Sequence, residues 1–385
     1  MDKTMKRMIA WILILTLLLS GCGSKNADVA GSGVNMAPGA AEEPSNEIPG
    51  ETAGEEAAEV TAEETTEMTT EPTEPEVFRN PLNGEILDEP FRGRVYASTI
   101  SNMQDNLPHV GVNHADVIME MYVNMNNIVR CLALFTDIDA ADAVGSTRST
   151  RPIFNDIAQH YDLVLAHAGG SNTALNDAAD RGIDNFNVDS WEVASSGASY
   201  RDTKYKRSLE NSLFVNGPAF RAYAEASGVE TELEKDYGFV FGDAATPADG
   251  EAADIISWTM VYGQAKKDTS FVFHAETGKY IWNQYGKEMR DQITEEPEGF
   301  TNVIVMFTGI TNKGLYHAAD FVAGGTGYYA NGGKLIPMVW SCEDENSAFR
   351  FFTEDAEPLE MGVGNTYIAV ITPESPVTWE AAENA

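Results

Sequence analysis

The stretch GSTRSTRPIFNDIAQHYDLVLAHAGGSN, residues 145–172, decides how this chain folds. Ile153, Ile157 and His160 recur at helical spacing. Pro152 suits the first turn of that helix, and Ser149 or Thr150 stands where a cap belongs. DLVLAHA is a continuous apolar run, the pattern of a strand buried on both faces. GGSN then opens a second loop, and TALNDAADRG reads as a second helix. Upstream, NIVRCLALFTD is a further apolar strand that reaches the quoted loop through IDAADAVG. Strand, loop, helix, strand, loop, helix predicts a right-handed crossover unit with a parallel pair.

Working outward, RVYASTIS and ADVIMEMYV supply two more strands, and Asn124–Asn127 reads as the hairpin turn into NIVRCLALFTD. Past Gly182, FNVDSWEVASSGASYRDTKYKRS is polar and reads as a surface excursion, and LFVNGPAFRAYAEASG as a short strand and a helix. Small acidic residues with Pro247 and Gly250 mark a change of composition. Beyond it IISWTMVY, SFVFHAETGKYIWN (turning at Glu276-Thr277-Gly278), NVIVMFTGI, YYANGGKLIPMVW, SAFRFFT and TYIAVIT are all strand-like. The expected fold is mixed α+β and α/β. An N-terminal α/β domain, 78–245, carries the crossover unit, and a smaller β-rich domain, 253–375, follows.

The N-terminus sets an address. Lys3, Lys6 and Arg7 precede an apolar run, Met8 to Leu19, that is shorter than the roughly 20 residues a membrane span needs. It ends in Leu19-Ser20-Gly21-Cys22, the form of a lipobox, so residues 1–21 read as a lipoprotein signal peptide and Cys22 as the lipidated residue. More than one acyl chain gives stable anchoring. Residues 22–77 are rich in Glu, Thr, Ala, Pro and Gly and read as a disordered acidic tether spanning about 40 Å. The expected location is the extracytoplasmic face of a bacterial cell membrane.

Of the formal net charge of −35, residues 22–78 contribute −13, the signal segment +2 and the remainder −24. So acidic a folded part argues against nucleic acid and against docking on anionic lipid through a basic patch. Cys131 and Cys342, one in each half, read as buried free thiols.

Against that acidity, Arg148 and Arg151 stand out. They sit with Ser149 at the C-terminal end of one predicted strand, while His167, Gly169, Gly170 and Ser171 sit at the same end of the next. In open α/β sheets ligands bind at that edge. Arginine forks, hydroxyls and a glycine pair suit a carboxylate or phosphate, with Asp184 and Asn185 at the rim. The alternative is that the arginines pair with buried acids such as Asp116 or Glu120 and only tie loops together. His167 beside Ser171 offers a base and a nucleophile, yet no GxSxG elbow and no S-x-x-K motif accompanies them. DNFNVD (184–189) lacks the glycine and the terminal glutamate of a calcium loop, and the histidines show no metal spacing. Tyr280, Trp282 and Tyr285 read either as core or as a glycan-stacking platform.

Together these pieces resemble the YerB-like lipoprotein family over residues 80–373. The residues that carry the likeness are Pro81-Leu82 and Gly84, then Pro108, Gly111, Ala115-Asp116 and Glu120, with Arg130 inside NIVRCLALF. Gly145, Arg148, Ser149, Arg151 and His167–Ser171 are the strongest, and NVIVMF, Gly325, Gly327 and Trp340 extend it into the second half. Two positions depart: Asn126-Asn127 stands where the family tends to have Gly-Gly, and Asn211-Ser212 where His-Asn is expected. The resemblance implies a two-domain envelope lipoprotein and no established activity. The expectation is therefore a lipid-anchored protein, with no cofactor or metal, that binds an anionic or polar envelope ligand at Arg148, Ser149, Arg151, His167, Gly169, Gly170 and Ser171. An envelope hydrolase with His167 as catalytic residue, and a scaffold that docks a partner protein, stand beside it.

Overall fold

The apolar runs become the centre of one large sheet. In the computed structural model, residues 77–382 are described except 127, 205, 206, 243–246 and 248. The signal segment, Cys22, Asn127 and the acidic tether up to residue 76 lie outside the described residues. In chain order the first half supplies β1 (Tyr96–Ser101), β2 (Val117–Tyr122), β3 (Val129–Phe135), α1 (Pro152–Tyr161), β4 (Val164–His167), α2 (Asn172–Asp180), β5 (Asn185–Asn187) and α3 (Gly217–Ala226). The second half supplies β6 (Ile255–Tyr262), β7 (Ala265–His274), β8 (Lys279–Gln284) and β9 (Asn302–Phe307). It continues with β10 (Ile310–Lys313), β11 (Tyr316–Ala319), β12 (Gly325–Asn331), β13 (Lys334–Ser341), β14 (Thr366–Ile371) and β15 (Val377–Glu380). The fold is mixed and strand-rich.

The main sheet runs β13–β12–β9–β14–β2–β3–β1–β4–β5, with short edge strands added at β13. The β14–β2 pair is parallel, in register from Thr366↔Val117 to Val370↔Met121, and it joins the two halves of the chain in one sheet. Val240–Gly242, just before the composition change, pairs with Glu360–Gly362. The change near 245–253 therefore marks where helices stop, since every later described element is a strand, and the sheet continues across it.

The expected parallel neighbours are corrected. β3 and β4 are not adjacent: β1 lies between them, antiparallel to β3 and parallel to β4. The β2–β3 hairpin and the β1–β3 pairing occupy both edges of β3, so the chain leaving α1 lands on the free edge of β1. The pair that encloses a helix is β4–β5, parallel, with α2 between them.

Side chains alternate between the faces of this sheet. Ile118, Tyr122, Cys131 and Phe135 face the second sheet, β8–β7–β6–β15, where they meet Trp258, Phe271 and Trp282. Val117, Met119, Met121, Leu132 and Leu134 face the other way, onto Ile153, Phe154, Ile157 and Tyr161 of α1. Burial of each such side chain contributes about 1.5–3 kcal/mol. Tyr280 and Trp282 are fully buried core residues, so the three aromatics do not form an exposed platform; Tyr285 is half-buried, its hydroxyl donating to the Asn102 carbonyl at 3.0 Å. The turns follow the sequence: Gly278 has φ +67° in the β7–β8 hairpin, and Gly332 and Gly333 have φ +59° and +78° between β12 and β13. Cys131 and Cys342 are buried and unpaired.

A polar network sits between the two sheets. Glu120, fully buried on β2, receives Lys267 Nζ of β7 at 2.7 Å, and also the Tyr367 hydroxyl and the Asn102 amide. Asn102 Oδ1 accepts from Gln284 at 2.7 Å and lies 3.1 Å from His109 Nε2; His109 Nδ1 lies 2.9 Å from Glu298. His109 stacks on Trp282 with ring centroids 5.1 Å apart. The carboxylates are matched by cationic and donor groups, as burial of charge requires.

Candidate functional site

The two loops singled out in the sequence lie side by side. Arg148 N–H donates to the Thr99 carbonyl at 2.9 Å, Ala168 N–H to the Arg148 carbonyl at 3.0 Å, and Thr150 N–H to the Gly169 carbonyl at 2.9 Å. GSTRSTRP is thereby held between β1 and HAGGS. A Cβ at Gly170 would stand 3.1 Å from the Thr150 methyl and 2.9 Å from Leu175, and Gly169 has φ +68°. Both glycines thus have structural reasons, loop docking and a left-handed turn.

The helix that follows lacks the expected cap. Arg151 is its N-cap residue, with no side-chain hydrogen bond to the helix, and Pro152 is in the first turn. Thr150 is buried and its hydroxyl donates to Asn155 instead, at 3.1 Å; among the described residues the Ser149 hydroxyl has no protein partner. The positive end of α1 is left uncompensated beside Arg151.

Neither Arg148 nor Arg151 pairs with Asp116 or Glu120. Asp116 accepts from Thr136 and Asn83, and Glu120 belongs to the Lys267 network. Arg148 Nη1 donates to the Glu210 carbonyl at 2.8 Å and to Asn211 Oδ1 at 2.9 Å, and its Nη2 forms an ion pair with the Glu210 carboxylate. That carboxylate is held below its ordinary range by Arg148. Arg151 lies over the Tyr316 ring, 4.8 Å from its centroid, donates to the Thr150 carbonyl at 2.6 Å and has an Nε with no acceptor.

A third arginine completes the cluster, one that the sequence reading left out of the site. Arg130 lies on β3, 3 % exposed. Its Nη1 donates to the Ser149 carbonyl, its Nε is buried without an acceptor, and among the described residues it has no carboxylate partner. Burial, followed by the charges of Arg151 and Arg148, pushes its pKa well below the ordinary arginine value. Arg151 is lowered too, by burial and to a smaller degree by Arg148. The available sign in the sequence was a lone arginine within the apolar run NIVRCLALF. Tyr316 and Glu210 carried no such sign.

His167 and Ser171 do not form a base and nucleophile. His167 is 1 % exposed; Nδ1 meets the Gly169 carbonyl at 2.8 Å and Nε2 meets Asn185 Oδ1 at 3.0 Å. Burial lowers its pKa, which keeps the ring neutral. Ser171 caps α2, accepting from Ala174 N–H at 3.1 Å. Asp184 pairs with Arg94, Asp189 with Arg201, and Asn187 accepts from Gly169 N–H, so the DNFNVD segment supports the HAGGS loop. Among the described residues no group of three or more His, Cys, Asp or Glu is placed to hold a metal ion. A hollow of about 350 Å³, lined by Asp105, Leu107, Pro108, Arg207, Ser208, Asn211 and Gln292, touches the arginine cluster through Asn211, the partner of Arg148.

Two family models match the chain: the N-terminal domain of DUF3048, a protein family of unknown function, over residues 82–230, and its C-terminal domain over 258–368. The chain belongs to this YerB-like DUF3048 family. The crystal structure of the YerB protein from Bacillus subtilis superposes with a TM-score of 0.66 at 18 % identity, covering 78 % of this chain and 99 % of that one. At that identity the likeness speaks for the fold. No curated protein matches the sequence. In this YerB-like chain the arginine cluster spans only the N-terminal family domain and one hairpin residue, Tyr316, from the C-terminal one. Among the described residues no helix is long and apolar enough to cross a membrane.

Proposed function

We propose that this protein is a lipid-anchored receptor of the cell envelope, tethered through Cys22, that binds a small anionic ligand at Arg130, Arg148 and Arg151. The observation that carries the reading is Arg130: a buried guanidinium with two like charges beside it and no carboxylate partner among the described residues. Burying an unpaired charge costs several kcal/mol, and a fold that gains nothing from it has no reason to keep an arginine there. The uncapped end of α1 adds positive potential at the same place. The site is pre-organised: Arg130 and Arg151 are each held by one carbonyl, from Ser149 and Thr150, with donors left over. A hydrolase reading finds no support in His167, both of whose ring nitrogens are engaged.

The reading is tested by titrating the purified protein with phosphate, sulfate and acetate while following its melting temperature. A saturable rise of several degrees is expected, absent in Arg130→Met and in Arg148→Ala. No rise with any of these anions, or the same rise in both variants, sinks it.

A further inference from the structure

The anion-binding reading leaves the ligand's chemistry open, and the charges around the cluster narrow it. Arg130, Arg148 and Arg151 are held by one loop, through the Ser149 and Thr150 carbonyls, near enough for their charges to act on one another, and the carboxylate among them is Glu210, bonded to Arg148. A monoanion such as a carboxylate or a phosphodiester satisfies one arginine fork and leaves Arg130 uncompensated. A terminal phosphoryl group carries about two charges near neutral pH and three peripheral oxygens, enough for three forks.

Glu210 itself indicates where such a group enters. Its side chain is 73 % exposed, it stands in the short turn Leu209–Asn211, and Arg148 is its ion-pair partner. By contrast Arg148 is only 17 % exposed. A solvent-exposed carboxylate on a surface turn, paired with a largely buried guanidinium, is held weakly and is open to exchange. Its neighbour Asn211 both accepts from Arg148 and lines the hollow of about 350 Å³. A group that replaces the Glu210 carboxylate on Arg148 is therefore one residue, Asn211, away from a space able to take the rest of a small molecule.

We propose that Arg130, Arg148 and Arg151 take a terminal phosphoryl group, and that Glu210 is the internal carboxylate which this group displaces. The proposal rests on the anion-binding reading, and the experiment separates the two. The purified protein is titrated at pH 7.5 with methyl phosphate, dimethyl phosphate and acetate, and methyl phosphate is expected to bind about tenfold more tightly than either monoanion, the margin of one further charge-assisted contact. Glu210→Gln is expected to tighten methyl phosphate severalfold, and lowering the pH below about 6, where the phosphoryl group takes up a proton, is expected to weaken it. Arg148→Ala, at a half-buried position, is expected to abolish the preference for methyl phosphate even where Arg130→Met alters folding.

Equal binding of all three anions overturns the phosphoryl assignment while the anion reading stands. Binding of none of them, together with no binding to vesicles containing phosphatidic acid, overturns both. Unchanged affinity in Glu210→Gln overturns the displacement. The source of the group is read from the same titration: methyl phosphate binding with no preference for phosphatidic acid vesicles supports a soluble phosphomonoester. Tighter binding to those vesicles, lost in Arg148→Ala, supports a lipid headgroup with the same chemistry.

Discussion

Two clusters of buried charge lie on opposite faces of the same pair of strands. On the face toward the second sheet, Glu120 meets Lys267, Tyr367 and Asn102, and His109 meets Glu298. On the face toward α1, Arg130 meets the positive fields of Arg148 and Arg151. The first cluster contains its own compensation and fastens sheet to sheet. In the second, Glu210 pairs with Arg148, but Arg130 has no carboxylate partner among the described residues, and the proposed ligand would supply the missing charge. The balanced cluster is buried throughout, whereas in the other only Arg130 is, and the balance of charge around Arg130 is what sets the two apart.

The largest effect tests the balanced side. Lys267→Ala leaves Glu120 buried without its cation and is expected to cost about 3–5 kcal/mol in denaturant unfolding. The double variant Glu120→Met with Lys267→Met should recover most of that loss. A single-variant cost below about 1 kcal/mol means the pair does not hold the sheets together, and the contrast between the clusters collapses.

Arg130→Met tests the other side, with the opposite sign. Removing an uncompensated buried charge is expected to stabilise the ligand-free protein by about 1–2 kcal/mol while abolishing its response to anions. Destabilisation as large as that of Lys267→Ala means Arg130 has a compensation like that of Glu120.

His167→Ala is expected to cost about 1–3 kcal/mol through the hydrogen bonds lost at Gly169 and Asn185. Anion affinity in this variant should stay within about threefold of wild type, because the ring serves the loop and no reacting group. Loss of binding with unchanged stability places His167 in the site after all.

The smallest effect is a slope with pH. Burial lowers the pKa of His160 and His167, and that of His317 to about 4. In the unfolded chain each returns to its ordinary value of 6.5. Between those values the unfolded state binds the extra proton, so stability is present above pH 6.5 and is lost as pH falls toward about 4. Urea midpoints at pH 7.5 and pH 5 should differ less in His317→Gln than in wild type, and an unchanged difference removes His317 from this account.

Much of the architecture was legible because its signals are local. Apolar runs such as VIMEMY, VRCLALF and TYIAVI became strands with every residue buried. The two glycines after Asn331 made the tight turn that their left-handed backbone allows. Arg148 and Arg151 were visible as a positive pair in one loop, and both act electrostatically on Arg130. The cap at Ser149 or Thr150 failed because Thr150 is turned inward to Asn155, a preference set by packing against α2 and invisible in the cap motif itself.

What the sequence by itself determined is which segments are strands and helices, where the turns fall, and that two arginines share a loop, because propensity and periodicity act over a few residues. The tertiary structure alone decided the rest. Met121 stands opposite Arg130 and Glu120 opposite Cys131, so alternation along the strands sends Arg130 and Glu120 to opposite faces. That register depends on pairings far apart in the chain: β1 rather than β4 beside β3, and β14 beside β2. It gives Glu120 its cation from β7 and leaves Arg130 with no carboxylate partner among the described residues, the difference on which the proposed site rests.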